Sequence, residues 1–303
     1  MCCIVAQEPA SEKEDSGDGD TFARQVVMRL SVVTFMRPGP EPRGRAVGRI
    51  VDYARQIERR GFPGIWVTDS LGRGRPTLDP LVTLGALSVA TQRVELGIPV
   101  LQVPLRHPIE LAHRVQSVLA LSGGRLRLGV GSGWNHVEYS SLDSEWKTRG
   151  ARQAEQIAVL RRLWTEDLVT YSGRFHDLRE VAIVPPPIQR PIPIWLGGTS
   201  DAVVRRAAEI ADGWMPIMAP NAEAEAKLAD LRSRLVALGR DPDAFGLEGW
   251  LRMHDPVPEV WGEAAAGWRR LGAQMVMLYP MYRMPTFGEQ IETLRRFKDV
   301  ASA

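Results

Sequence analysis

From Val26 onward the chain repeats one unit: a short apolar run gives way to a segment with helical spacing, and another apolar run follows. The runs are VVMRLSVVTF (26–35), GIWVTDS (64–70), VELGIPV (94–100), LRLGVGSG (126–133), PIPIWLGG (191–198), DGWMPIM (212–218), LEGWLRM (247–253) and AQMVMLYP (273–280). Most lack the apolar-polar alternation of a strand with one wet face, so they read as parallel strands covered on both sides. About eight strand-helix units without a composition break predict an α/β fold, a (β/α)8 TIM barrel. An open parallel sheet is the alternative that the pattern leaves.

The helical segments carry readable signals. Val47, Ile50, Val51, Ala54 and Ile57 share one face, and Gly61 ends that helix. Asp79 precedes Pro80 as a cap, Pro108 opens the next helix and Gly123 closes it. A fourth helix reads over 149–164, Thr199 or Ser200 caps a fifth, and Thr286 with Glu289 forms a capping box. One link breaks the repeat. TEDLVTYSGRFHDLREVAIVPPPIQR, between the fourth and fifth strands, holds β-like pieces and a proline run and predicts an insertion over the barrel.

Composition bounds the remaining readings. At 303 residues and 44% hydrophobic, the chain can bury one large core. A net charge of +2 calls for neither nucleic acid nor a membrane surface. The two cysteines, Cys2 and Cys3, build neither a disulfide framework nor a metal site, which fits a cytoplasmic location. Residues 1–24 read as a flexible N-terminal extension and 25–303 as the barrel domain.

In such a barrel the chemistry sits at the C-terminal ends of the strands. Those ends carry Thr34 and Phe35; Thr68, Asp69 and Ser70; Pro99, Val100 and Gln102; Ser132, Gly133, Trp134 and Asn135; Gly197, Gly198, Thr199 and Ser200; Pro216 and Met218; Arg252 and His254; and Tyr279. WLGGTSDAV reads either as an anion turn, with glycines, hydroxyls and a helix N-terminus, or as a plain capped turn. GVGSGW has G-x-G-x-G spacing, and no helical pattern follows until near Arg149, so a dinucleotide fingerprint fails on context. Its glycines thin the strand end, for a close ligand in preference to tight barrel packing. No hydrolase, zinc-protease or P-loop motif is present. Of the five histidines, His136 is best placed for a site, with a solvent-exposed loop residue the equal alternative.

With these positions in view, the chain resembles the bacterial luciferase-like superfamily from about residue 27 onward. Three blocks carry the resemblance: LGIPVLQVPLRHPIELAHRVQSVLALSGGRLRLGVGSGWN (96–135), RGARQAEQIAVLRRLWTEDLVTYSGRFHDL (149–178) and PIPIWLGGTSDAVVRRAAEIADGWMP (191–216). RHP, LSGGR and GVGSGW together look most like the deazaflavin-using branch. The resemblance implies a barrel that binds coenzyme F420, or alternatively FMN, and acts on a small organic substrate. It places a bulge with a non-prolyl cis peptide at Pro99-Val100, behind the cofactor ring. It makes Asp69, Ser70, Gln102 and Trp134 cofactor contacts. Ser132 and Gly133 line the ring or its side chain, and Gly197, Gly198, Thr199 and Ser200 form the phosphate turn.

Two departures matter. Deazaflavin-dependent sugar-phosphate dehydrogenases of this superfamily place a catalytic His after the residue matching Asp69, where this chain has Ser70. They place a Glu after the residue matching Gly133, where this chain has Trp134. Sugar-phosphate oxidation is therefore not expected, and His136 and Glu138 are the nearby substitutes for acid/base work. The expected function is hydride transfer between F420 and the substrate. The alternatives are an FMN-dependent monooxygenase and a non-catalytic flavin-binding homologue. Dimers are common in the superfamily, so a homodimer is the expectation by analogy.

Overall fold

The computed structural model describes residues 28–34, 46–71, 77–253, 258–280 and 286–301. The extension over 1–24, and Phe35 and His254 among the strand-end residues, lie outside the described residues. The elements, in order, are β1 (Arg29–Thr34), α1 (Ala46–Arg59), β2 (Gly64–Val67), α2 (Pro80–Ala90), β3 (Glu95–Gln102), α3 (Pro108–Leu121), β4 (Leu126–Gly131), α4 (His136–Ser140), α5 (Arg149–Thr165), β5 (Val169–Ser172) and β6 (Asp177–Val181). They continue with β7 (Ile194–Gly197), α6 (Asp201–Ile210), β8 (Gly213–Met215), α7 (Ala222–Ala237), β9 (Gly246–Arg252), α8 (Pro258–Arg270), β10 (Met275–Tyr279) and α9 (Phe287–Ala301).

Eight strands close into a parallel barrel in the order β1-β10-β9-β8-β7-β4-β3-β2. Each of the eight apolar runs contributes one of them. The insertion between β4 and β7 holds the antiparallel pair β5–β6, outside the barrel sheet. Helices α7 and α8 go beyond those named from the sequence; α7 buries Ala224, Leu228, Leu231 and Leu235 at helical spacing.

The local signals act as their chemistry requires. Asp79 accepts a hydrogen bond from Val82 N at 2.9 Å and caps α2. Gly61, at φ +72°, ends α1 while Phe62 N reaches back to Ile57 O. Thr286 and Glu289 close the capping box, Thr286 N on Glu289 Oε2 at 3.0 Å and Glu289 N on Thr286 Oγ1 at 3.2 Å.

Successive strand residues point to opposite faces, which separates two cores. On β10, Val276 and Leu278 pack outward with the helices, while Met275 and Met277 pack inward with Val33, Trp66, Trp195, Met215 and Trp250. Indoles fill the interior because glycines face them. A Cβ on Gly64 or Gly97 would lie 2.7 Å from the Trp66 ring, and Gly213 and Gly246 face Trp195 just as closely. An alanine there forces the indole to move, which a close-packed interior resists.

The barrel floor, at the N-terminal strand ends, is ionic. Glu95 pairs with Arg29 at 2.7 Å and with Arg127 at 2.9 Å. Arg127 stacks on Trp195 at 4.7 Å and lies 3.9 Å from Glu248. Glu248 is fully buried, accepts from Trp66 Nε1 at 2.8 Å and leaves Oε2 without a hydrogen bond. Burial pushes its carboxyl up to about 7, against the pull of Arg127.

Candidate functional site

The opposite end of the barrel gathers the strand-end residues. The β3 ladder breaks register between Ile98 and Leu101, and the Pro99-Val100 peptide there is cis. Val100 enters the mouth between two neighbouring strands. A Cβ on Gly131 of β4 would stand 2.5 Å from Val100 Cγ2, and one on Gly197 of β7 would overlap Cγ1. Gly129 in turn faces Ile98 O, and a Cβ on it would stand 2.7 Å from Met215 Sδ. Gly133 adopts φ +74° and faces Gln102. Gly131 and Gly197 thus make room for Val100 of the bulge, Gly129 for the Ile98 carbonyl and Met215, and Gly133 for Gln102, so the close approaches at these glycines include other parts of the chain itself.

Buried polar groups hold the segment after the bulge. Arg106 binds Asp69 through two hydrogen bonds, at 2.7 and 2.9 Å, with side-chain exposures of 10% and 1%. Gln102 N donates to the same carboxylate at 2.9 Å, and Arg106 donates to Gln102 O at 3.1 Å. Both oxygens of Asp69 thus engage protein groups, and Asp69 ties the end of β2 to the end of β3. Gln102 is buried, with Oε1 unpartnered among the described residues; Thr68 Oγ1 shares that state beside Asp69. Ser70 is half-buried in the same loop.

The segment after β4 behaves differently from its sequence pattern. A helix does start before Arg149: α4, five residues long, with Asn135 Oδ1 accepting from Val137 N at 3.1 Å. Five residues are too few to show a helical period, so the pattern missed it. The dinucleotide reading still fails, because β4 lies in a closed barrel and Ser132 to Asn135 separate strand from helix. Glu138 points into the protein and is 1% exposed. It accepts from Leu71 N at 2.8 Å and from Gln102 Nε2 at 3.4 Å. His136 is exposed, its ring 5.6 Å from Trp146, and Trp134 is 74% exposed. Tyr139 donates to Ser132 O, and burial pushes its hydroxyl up to about 12.

The turn after β7 completes the rim. Gly198 adopts φ +125°, a region that side chains avoid, and its carbonyl accepts from Trp214 Nε1 at 2.8 Å. Ser200 stands at the N-cap of α6 and makes no side-chain capping bond. Its carbonyl accepts from Val203 N and Val204 N, and half-buried Thr199 stands beside it. Arg106 is the main residue missed by sequence reasoning, although it stands in the RHP motif. Its partner Asp69 lies 37 residues away, and no local pattern reports that distance.

The closed parallel barrel, with its bulged third strand and the glycines at its mouth, defines a (β/α)8 barrel protein. The profile of the luciferase-like monooxygenase family matches residues 28–299, and the chain belongs to that family. An uncharacterized protein of Mycobacterium tuberculosis is 39% identical over 142 residues, 47% of this chain and 49% of that relative. The F420-dependent glucose-6-phosphate dehydrogenase of Nakamurella multipartita is 33% identical over 205 residues, covering 64% of this chain and 60% of that enzyme. The match thus spans about half the length of the first of these relatives and three fifths of the second. Among solved structures, the monooxygenase RslO1 of Streptomyces bottropensis superimposes with a TM-score of 0.78 at 21% identity, covering 90% of this chain and 98% of that one. The coenzyme F420 dependent tetrahydromethanopterin reductase of Methanopyrus kandleri gives 0.72 at 15% identity, covering 88% and 97%. These two likenesses are of fold. No helix among the described residues is long and apolar enough to cross a membrane.

Proposed function

We propose that this chain is an oxidoreductase that moves hydride between coenzyme F420 and a small organic substrate. The observation that carries the reading is the Val100 bulge seated between Gly131 and Gly197, with the uncapped Gly198–Ser200 turn on the adjoining strand end. Val100, Gly131, Ser132 and Gly133 would hold the ring, and Gly197, Gly198, Thr199 and Ser200 the phosphate. The unpartnered buried oxygens of Thr68 and Gln102 fit a ligand with ring N–H and hydroxyl groups. The F420-dependent relatives support the deazaflavin over FMN. Bound there, the deazaflavin supplies hydride exchange at its carbon 5.

The chain's own residues fix and shield that position. Asp69 and Arg106 lock the backbone behind the bulge, so the floor of the mouth does not yield when a ligand presses on it. Glu138 is buried and accepts from Leu71 N and Gln102 Nε2, so we assign it to fastening the β2 loop to Gln102 instead of moving protons. Of the two acid/base substitutes this leaves His136, which stands in solvent beside Trp146 and can exchange protons with water. Ser70 and Trp134, in place of a histidine and a carboxylate, fit a substrate other than a sugar phosphate.

The second reading, an FMN-dependent monooxygenase, is favoured by the family's own description. Titrating the purified protein with F420 and with FMN separates the two. Micromolar binding of F420, lost in Thr199→Val with Ser200→Ala, is expected. Binding of FMN alone overturns the F420 reading, and F420 binding without hydride transfer across a panel of alcohols, ketones and activated alkenes points to a non-catalytic homologue. A second copy of the chain is the partner we propose, covering the outer face of α2. Val82 and Val89, two helical turns apart, are each 70% exposed there.

A further inference from the structure

A second polar cavity of about 310 Å³ lies outside the barrel mouth, between the link after β3, the link after α4, the N-terminal turn of α5 and the β5–β6 hairpin. It shares no residue with the Gly198–Ser200 turn. Arg106, His107, Arg152, Phe175 and His176 line it. Arg106 is neutralised by Asp69. Arg152 is not: among the described residues its guanidinium has no carboxylate partner and no hydrogen bond, and it lies 4.7 Å from the Phe175 ring. An arginine held over an aromatic ring keeps its outward donors free and pre-oriented. The two imidazoles stand edge to face with centroids 6.2 Å apart.

The wall is built and not a loop fold of convenience. Glu155 accepts from the N–H groups of Arg174, Phe175 and His176 at 3.0, 2.9 and 2.9 Å, which pins the hairpin turn onto α5. Two acids reach the rim, both exposed: Asp177, 3.7 Å from Arg179, and Asp143. We propose that this cavity is an oxyanion site in which Arg152, His107 and His176 receive the phosphate or carboxylate group of a small ligand. The site stands apart from the proposed cofactor turn and does not depend on the F420 reading. Burial, and then Arg152 and His107, hold the His176 imidazole below its ordinary range against the opposite pull of Glu155. An anion on Arg152 removes the positive neighbour's effect and raises it.

The test is NMR of the histidine ring signals during titration with sodium phosphate and, separately, sodium acetate, against sodium chloride at equal ionic strength. The expected result is a saturable shift of the His107 and His176 signals, with the His176 midpoint moving up in pH. Arg152→Gln should weaken the binding about tenfold or more, the loss expected for a charge-assisted bond. Arg152→Lys, which keeps a cation over Phe175, should fall between and serves if the first variant loses its fold. Tighter saturation by phosphate assigns the site to phosphate esters, and tighter saturation by acetate to carboxylates. No saturable shift with either anion, or wild-type affinity in a folded Arg152 variant, overturns the proposal.

Discussion

Replacing Glu248 with Gln should change how the protein's stability depends on pH more than it changes the fold. The carboxyl sits fully buried on the barrel floor, and burial raises it from the usual 4.5 to about 7. A raised acid is protonated more readily in the folded chain than in the unfolded one. Its stabilising contribution is therefore complete below 4.5 and is lost as pH climbs through about 7. The displacement from 4.5 to about 7 makes that loss about 3 kcal/mol. A glutamine keeps the oxygen that accepts from Trp66 Nε1 and cannot ionise. Its amide faces Arg127, 3.9 Å away, across the unpartnered position of Oε2, at a cost of about 1 kcal/mol that does not vary with pH. Urea unfolding followed by tryptophan fluorescence, at intervals from pH 5 to about 8.5, gives both profiles. Wild type should lose stability relative to Glu248→Gln across that window, by about 2 to 3 kcal/mol. Parallel profiles would refute the reasoning: Glu248 would then be ionised throughout and held by Arg127.

Two further perturbations probe the rim and the surface. Asp69→Asn leaves the Arg106 guanidinium buried without its counter-charge, so unfolding free energy should fall by about 3–5 kcal/mol, measured by the same urea titration. A loss under 1 kcal/mol would show that the pair does not hold the bulge. Val82→Asp with Val89→Asp should convert the proposed dimer to a monomer in size-exclusion chromatography with light scattering, because two carboxylates cannot be desolvated in an apolar interface. An unchanged mass would refute α2 as an interface between copies.

The glycines of LRLGVGSGWN show how much of the site local sequence carries. Their number marked a place of close approach. What approaches them is Val100, Met215 and Gln102, contributed by other strands. The same holds for Gly64 and Gly97 before Trp66, where the need for glycine becomes visible only once the sheet closes. Resemblance located the Pro99-Val100 bulge, and the structure shows a cis peptide and a register shift there. Glu138 was legible only as a nearby carboxylate, and its orientation into the protein depended on a five-residue helix too short to leave a period.

By itself the sequence determined the eight strands, most of the long helices and their caps, because these follow from interactions within a few residues. Apolar runs, Asp79 before Pro80, Gly61 after α1 and the Thr286–Glu289 pair all act across one turn. Tertiary structure alone decided which charges meet. Arg106 finds Asp69 across 37 residues and Trp66 finds Glu248 across 182. Closing the barrel brings the ends of separate strands together, so the ionic floor and the locked bulge arise from sheet order and register, which no window along the chain contains.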